Sequence, residues 1–574
     1  MSTCGEKSCN GHGPSARKLS LSLSSLKSAM RPDDLLNFYR RDARTGKLMR
    51  ALENSGSKVE LKGVVGSSLA FVAAGILERE SENKLAGSGE LNHHVFVLED
   101  KEHAAYFMND LEQILVVNPR PIFLFPRSAR VPYQEEVTEN ANVSMRAEVL
   151  NEINGGREGC IVVSYPGALS EKVITQKELS AQTFGLALGD NFTLDFLDEV
   201  FLEYGFEKVD FVYEPGQYAM RGGIVDVFSF SFDHPYRIEF FGEEIESIRK
   251  FDPVSQLSVN KLTRATIVPN VGDKKLHKHN EAFFSFIPSK SVVWMTDVKS
   301  CELGLKKELE KATAHYERLV GETKRTPPED LYLDPDVFVG IIKDFSVVEF
   351  GGGTTFTDRL TIEYGMTEQP VFNKHFDMIA TNLIANNRNG YVNVIVSGQA
   401  TQLERLHDIF SDRQDDNGEK SPDVPYTPIP MELSEGFVDK ELKVLVYTDH
   451  QLFDRYHRFR LKDGFRKSKE ALTIKELMSL EVGDFVVHID HGIGEFSGLH
   501  KIEVNGKEQE AIRLSYKGGD VLYVSIHSLH RISKFTSKEG TKPSVNKLGT
   551  ATWAKTKAKT KTRVKQIAYD LLNL

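Results

Sequence analysis

The sequence predicts a multidomain α/β protein that carries a small all-β unit toward its C-terminal end. Three observations lead there. Short apolar runs alternate with stretches of helical spacing, as in a sheet whose two faces are covered by helices. A chain of 574 residues exceeds what one hydrophobic core can organise, so several domains are expected. Glycine turns crowd residues 480–535, with only short strand-like runs between them.

In chain order, residues 1–30 are rich in Ser, Gly and Lys and read as a disordered leader. Residues 31–171 form the first α/β domain. Its buried strands are Val95-Phe96-Val97-Leu98, Ile122-Phe123-Leu124-Phe125 and Cys160-Ile161-Val162-Val163, with a helix at 102–114. From 172 to 260 the texture becomes α+β. An amphipathic helix at 192–204 precedes strands at 209–213, 223–230 and 236–241, which alternate or turn at Pro-Gly and Gly-Gly. Residues 261–369 return to the first pattern, with a strand at 291–295 and a helix at 303–318.

A further α/β unit covers 370–463: a helix at 375–387, a strand at 392–396, a helix at 399–410 and a strand at 442–447, with a polar loop at 412–423. A charged helical linker, 464–479, leads to the all-β unit at 480–537. Its turns are His491-Gly492-Ile493-Gly494, Asn505-Gly506 and Gly518-Gly519. A basic helix occupies 538–574, where residues 542–565 hold eight Lys or Arg and no acid.

The bulk numbers exclude several classes. No apolar run approaches the roughly 20 residues that span a bilayer, and no signal-like apolar core opens the chain, so a soluble cytoplasmic protein is expected. A net charge of −10 argues against coating nucleic acid by charge alone. Four cysteines are too few for a disulfide framework, and Cys4, Cys9 and His12 lack a fourth ligand and metal-site spacing.

Gly63-Val64-Val65-Gly66-Ser67-Ser68-Leu69-Ala70 stands where a phosphate-binding loop would join the first strand to the first helix. Such a loop needs a Lys against the β/γ-phosphates and a hydroxyl for magnesium, and here Ser68 or Leu69 holds the Lys position. The turn at Gly63, Gly66, Ser67 and Ser68 therefore reads as a degenerate, non-functional phosphate loop. Asp198-Glu199 lies inside a helical pattern and reads as a solvated face. His488 and His491 sit at a glycine turn without a nucleophile, so they suit a turn or packing role. No catalytic or metal constellation emerges, and no cofactor is expected.

The informative features suit contacts. Residues 214–223 form a hairpin-like element presenting Tyr218 and Arg221 beside permissive glycines, the residue types of interface anchors. In Ala511-Ile512-Arg513-Leu514-Ser515-Tyr516, alternation puts Ile512, Leu514 and Tyr516 on one face, which is either core or a surface able to pair with a partner strand. Leu514 and Tyr516 are expected in the core, while Ile512 is open.

Two blocks carry a family resemblance. Glu214-Pro215-Gly216, Arg221-Gly222-Gly223-Ile224-Val225-Asp226-Val227-Phe228 and Tyr236-Arg237-Ile238-Glu239-Phe240-Phe241-Gly242-Glu243-Glu244-Ile245-Glu246-Ser247-Ile248-Arg249 resemble the block shared by the excision-repair protein UvrB and the bacterial transcription-repair coupling factors. Gly483-Asp484-Phe485-Val486-Val487-His488-Ile489-Asp490-His491-Gly492-Ile493-Gly494, with Leu522-Tyr523-Val524 and Leu529-His530-Arg531-Ile532-Ser533, resembles the polymerase-interacting domain of the coupling factors, which UvrB lacks. UvrB-type hairpins often carry two arginines one residue apart, whereas this chain has Ala219 and Arg221.

The resemblance implies a role in transcription-coupled nucleotide excision repair. Residues 31–171 and 261–369 would form a UvrB-like domain with the degenerate loop. The insert 172–260 would bind UvrA through Tyr218, Arg221 and Phe228. Residues 370–463 would be a spacer, and 480–537 a Tudor/CarD-like barrel that binds the β subunit of RNA polymerase through Ile512, Arg513 and Leu514. The family's ATP-dependent DNA translocase, which displaces stalled polymerase, would follow the basic helix. DNA would be held mainly there, with the tail 542–565 as a further candidate. The alternative is a stand-alone CarD-type polymerase-binding regulator, which leaves the first 460 residues without a role.

Overall fold

The computed structural model describes residues 30–116, 120–128, 140–231, 234–253, 255–272, 279–318, 326–413, 423–455, 480–488, 490–504, 507–525, 532–535, 543–548 and 553. The leader up to residue 29 with Cys4, Cys9 and His12, the linker 464–479 and most of the basic helix at 538–574 lie outside the described residues.

Seven strands form one parallel sheet in the order Leu360–Glu363, Lys58–Lys62, Ser346–Glu349, Val292–Met295, His94–Val97, Ile161–Ser164, Ile122–Leu124. Four of the five inner strands are buried at every position, and their central residues are apolar on both faces. Their side chains alternate between two cores. Val95, Val97, Val162, Val293 and Met295 face one, with helices Asn140–Asn154, Val298–Arg318 and Pro335–Ile342. Phe96, Ile161, Val163, Val292 and Trp294 face the other, under helices Pro32–Arg40, Ala43–Leu52, Ser68–Leu85 and Lys101–Ile114.

A buried polar chain ties this second face together. Glu80 accepts from Arg120 Nη1 (2.8 Å) and His94 Nε2 (3.0 Å), and Trp294 Nε1 donates to His94 Nδ1 (3.0 Å). An indole N–H can only donate, so His94 carries its proton on Nε2 and donates a hydrogen bond from it to the Glu80 carboxylate. Burial raises the Glu80 carboxyl, but His94 and Arg120 outweigh it and hold the group down at about 2. A carboxyl held below its ordinary 4.5 contributes stability that is complete above that pH and is lost as pH falls toward 2. Glu80→Gln should therefore cost about 3 kcal/mol at pH 7 and flatten the loss of stability between those two pH values. Urea unfolding across that range checks it; an unchanged acid limb would contradict the linkage.

The insert is a six-stranded sheet in the order Ser258–Leu262, Glu244–Phe251, Tyr236–Phe241, Ile224–Val227, Gln217–Arg221, Glu207–Lys208. It is antiparallel except for its last, parallel pair. The helix Leu194–Glu203 covers one face through Leu197 and Phe201. The strand expected at 209–213 is not formed. The ladder ends at Lys208, Val212 joins a small core with Ala219, Phe228 and Phe251, and Phe211 and Tyr213 pack against the all-β unit. Strand Arg264–Ile267 pairs with Phe184–Ala187, so the insert's own ladders run past the expected limit at 260.

The third unit holds a mixed five-stranded sheet in the order Met366–Glu368, Phe437–Asp439, Val444–Thr448, Val392–Val396, Thr427–Ile429. It begins earlier than position 370, because Met366–Glu368 already pairs with Phe437–Asp439 while Leu360–Glu363 belongs to the first sheet. Val394, Val396, Ile429, Phe437 and Val446 share one continuous core with Tyr39, Phe71 and Leu77 of the first domain. Beside that core, Arg44 is clamped by Asp42 (2.7 Å) and Asp439 (2.8 Å), and its guanidinium lies over Tyr364.

The all-β unit is an antiparallel five-stranded sheet in the order Val521–Ser525, Lys507–Ser515, Gly492–Val504, Phe485–His488, Ile532–Lys534. A bulge between Phe496 and Leu499 bends the long strand, and Gly498 takes φ +96 there.

Candidate functional site

The structure places the expected site residues in three separate regions. The first is the glycine turn expected to be a degenerate phosphate loop, which leads from Lys58–Lys62 into Ser68–Leu85. Gly63 and Gly66 adopt φ +74 and +53, so the glycine turn survives. The G-x-x-x-x-G-K-[ST] spacing from Gly63 puts Leu69 at the Lys position and Ala70 at the hydroxyl position, both buried. Ser68 turns back on its own loop, accepting from Val65 N (2.9 Å) and donating to Val65 O (2.6 Å). Ser67 faces the third unit, where its Oγ accepts from Glu435 N (3.0 Å) and lies 3.1 Å from Ser434 Oγ.

The second region is the hairpin Gln217–Arg221 with Ile224–Val227, closed by Gly222-Gly223. Gly216 takes φ +84, and the Phe230 ring fills the space a Cβ would need, so only glycine fits. Alternation sends Tyr218 into the main core, its ring tilted against Phe201 with centroids 5.0 Å apart, and its hydroxyl on Asp198 (2.8 Å). Phe228 is fully buried in the small core on the opposite face. Neither can offer a surface to a partner, and the expectation that Tyr218 and Phe228 make direct contact is corrected on burial.

Arg221 does reach the surface, its side chain 39% exposed. Its Nη2 donates to Asp226 (2.6 Å) and its guanidinium stacks on Phe211 at 4.5 Å. Asp226, with no exposure, is held at the same time by a two-pronged Arg237 (2.7 and 2.8 Å). Arg249 pairs with Glu239 on the same face. This gives an outward cationic face whose rotamers are fixed beforehand, and the sequence reading missed Arg237 and Arg249. Their signal was the period-2 spacing of Arg237 with Glu239 and of Ser247 with Arg249. At the same end of the sheet, Phe241 is 81% exposed beside the Gly242 turn.

The third region is the all-β unit. Ile512 and Leu514 are fully buried with Val486, Phe496, Tyr516, Val524 and Ile532. The expectation that Ile512 and Leu514 meet a partner is thereby corrected. The open question at Ile512 resolves to core, because Ile512 and Val524 are partners on the inward face. Arg513 points the other way, opposite Tyr523 on the edge strand Val521–Ser525. Tyr523 is 46% exposed and meets the His500 ring edge-on. Arg513 Nε has no hydrogen-bond partner among the described residues. His488 Nδ1 accepts from Asp490 N (3.1 Å), a turn role.

Among the described residues no helix is long and apolar enough to cross a membrane, and no group of three or more His, Cys, Asp or Glu could hold a metal ion. Asp198 is taken up by Lys208 (2.7 Å) and Tyr218.

Comparison with known proteins matches two of these regions. Residues 184–272 match the UvrB interaction domain, and residues 480–536 match the CarD-like/TRCF RID domain. The transcription-repair-coupling factor of Myxococcus xanthus is 26% identical over 566 residues, covering 84% of this chain and 46% of that protein. Its namesake from Bacillus subtilis is 24% identical over 556 residues, covering 85% and 47%. That of Staphylococcus haemolyticus is 25% identical over 521 residues, covering 78% and 44%. The chain thus spans a little under half the length of these curated relatives. With both domain matches in order along one chain and a likeness running through most of it, the findings fit the part of a transcription-repair-coupling factor that carries a UvrB interaction domain and a CarD-like/TRCF RID domain.

Proposed function

We propose that this chain is a non-catalytic bridge of transcription-coupled excision repair in the cytoplasm, with one surface for UvrA and another for the β subunit of RNA polymerase. The observation that carries the reading is the presence of both matched domains in one chain. Each has an outward feature suited to contact. On the insert it is the pre-positioned Arg221. On the all-β unit it is the strand at the sheet's edge among the described residues, with Tyr523 and the neighbouring Arg513, where a polymerase strand would extend the sheet. DNA would be met through the basic tail 542–565. ATP-driven translocation is no part of what these residues do.

The test is a three-component assembly. Immobilised RNA polymerase should retain UvrA only when the chain is present, and neither fluorescent ATP binding nor phosphate release should be detectable with or without DNA. Retention of polymerase without UvrA would favour a polymerase regulator of the CarD type, and saturable micromolar ATP binding would remove the non-catalytic part of the reading.

A further inference from the structure

The residues around the old phosphate loop do more than lack a lysine. Segment 432–436 of the third unit runs directly across the loop. Were Gly66 given a Cβ, that atom would lie 3.0 Å from Glu435 Cβ, 3.2 Å from its Oε2 and 3.3 Å from Gly436 O. The space in front of the glycine turn, where phosphates would approach the backbone, is therefore filled by protein. The contact is also built with directional bonds. Ser434 N and Oγ both donate to Asp110, at 2.8 and 2.6 Å. That leaves Ser434 Oγ to accept from Ser67, whose own oxygen accepts from Glu435 N. Asp110 and Ser67 belong to the first domain, on Lys101–Ile114 and at the start of Ser68–Leu85, while Ser434 and Glu435 belong to the third unit. Behind the network, His450 Nε2 lies 3.0 Å from Ser434 O, and Gln451 accepts from Gly436 N (2.7 Å), so the segment is held from its own side too.

We propose that the phosphate loop has become a socket for an internal ligand: segment 432–436 occupies it, and the Ser67–Ser434–Asp110 chain locks the third unit to the first domain. The loop's glycines then serve close approach of a neighbouring backbone, the property a phosphate-binding turn also needs. A negative side chain laid over Gly66 adds repulsion toward any anion that reaches it. The lock matters for the bridge because the third unit is the element from which the chain departs toward the all-β unit. Fixing it fixes the origin of that arm relative to the UvrA-binding insert.

The experiment uses the full chain and native-state hydrogen exchange. Ser434→Ala with Glu435→Gly should speed exchange of the Ser67, Ser68 and Ala70 amides in the first domain by about tenfold or more, as expected when about two hydrogen bonds are lost. The amides of Val394 and Val446 inside the third sheet should keep their protection. Faster exchange confined to residues 434–436 would overturn the proposal, because the segment would then be a surface loop resting on the domain. A double-mutant cycle guards against misfolding. Gly66→Val alone should lower the melting temperature, and in a Glu435→Gly background its effect should shrink, since the clashing side chain has gone. Strictly additive effects would show that Gly66 and Glu435 do not meet.

Discussion

Arg221→Ala is expected to weaken the complex with UvrA by about 30-fold or more, the loss that follows removal of one partner of a buried, hydrogen-bonded charge pair at an interface. The substitution should leave the insert folded. Asp226 keeps both bonds from Arg237, so no buried carboxylate is stranded when Arg221 is removed. Phe211 loses a stacking guanidinium but stays packed against the all-β unit. The paired control is Phe228→Ala, which opens a cavity in the small core and should cost about 3–5 kcal/mol of the insert's stability. Calorimetric titration against UvrA, with circular dichroism of each variant, separates the two. Parent-like affinity for Arg221→Ala with an intact fold would move the contact away from this hairpin.

The second large effect is expected at Ile512→Arg. Ile512 has no exposure and sits in the centre of the all-β core, so a guanidinium there has neither water nor a partner. A unit this small holds only a few kcal/mol of stability, and an unpaired buried charge removes about that much. Polymerase binding should vanish together with the unit's protease resistance. Arg513→Glu and Tyr523→Ala should behave differently, losing polymerase capture while the melting temperature holds, because both face outward across the edge pair. Should Ile512→Arg keep its fold, the inward register drawn for Lys507–Ser515 would be wrong. Should Arg513→Glu and Tyr523→Ala both bind normally, this edge would not be the docking site.

Much of the architecture was legible because buried parallel strands announce themselves. Val95-Phe96-Val97 and Ile161-Val162-Val163 have no polar alternation to confuse the reading, and their helices have strong periodic faces. What sequence could not display was shared burial. Tyr39 and Phe437 are nearly 400 positions apart, yet their rings meet at 6.3 Å, and nothing local in either segment says that a "spacer" will join the first domain's core. The site residues failed for a related reason. Alternation tells which residues share a face but not which face is inward, so Tyr218 and Ile512 read as plausible contacts until the opposite sides filled with Arg221 and Arg513. The short N-terminal helix Pro32–Arg40 and the three-residue strands Phe437–Asp439 and Thr427–Ile429 are too brief to carry a period of their own.

The strand order of the seven-stranded sheet bears on how the protein is made. Among the described residues Lys58–Lys62, the earliest strand to leave the ribosome, pairs only with Ser346–Glu349 and Leu360–Glu363. Its neighbours arrive roughly 280 residues later, which at a synthesis pace of about 5–20 residues per second is a wait of about 15–60 s. Val292–Met295, which joins the two halves of the sheet, follows the whole insert. The insert can close its own antiparallel ladders while nascent, whereas the surrounding domain cannot seal until its last strands emerge. During that interval the edge of His94–Val97 that later takes Val292–Met295 has no strand to pair with, so its burial is completed only at the end of synthesis.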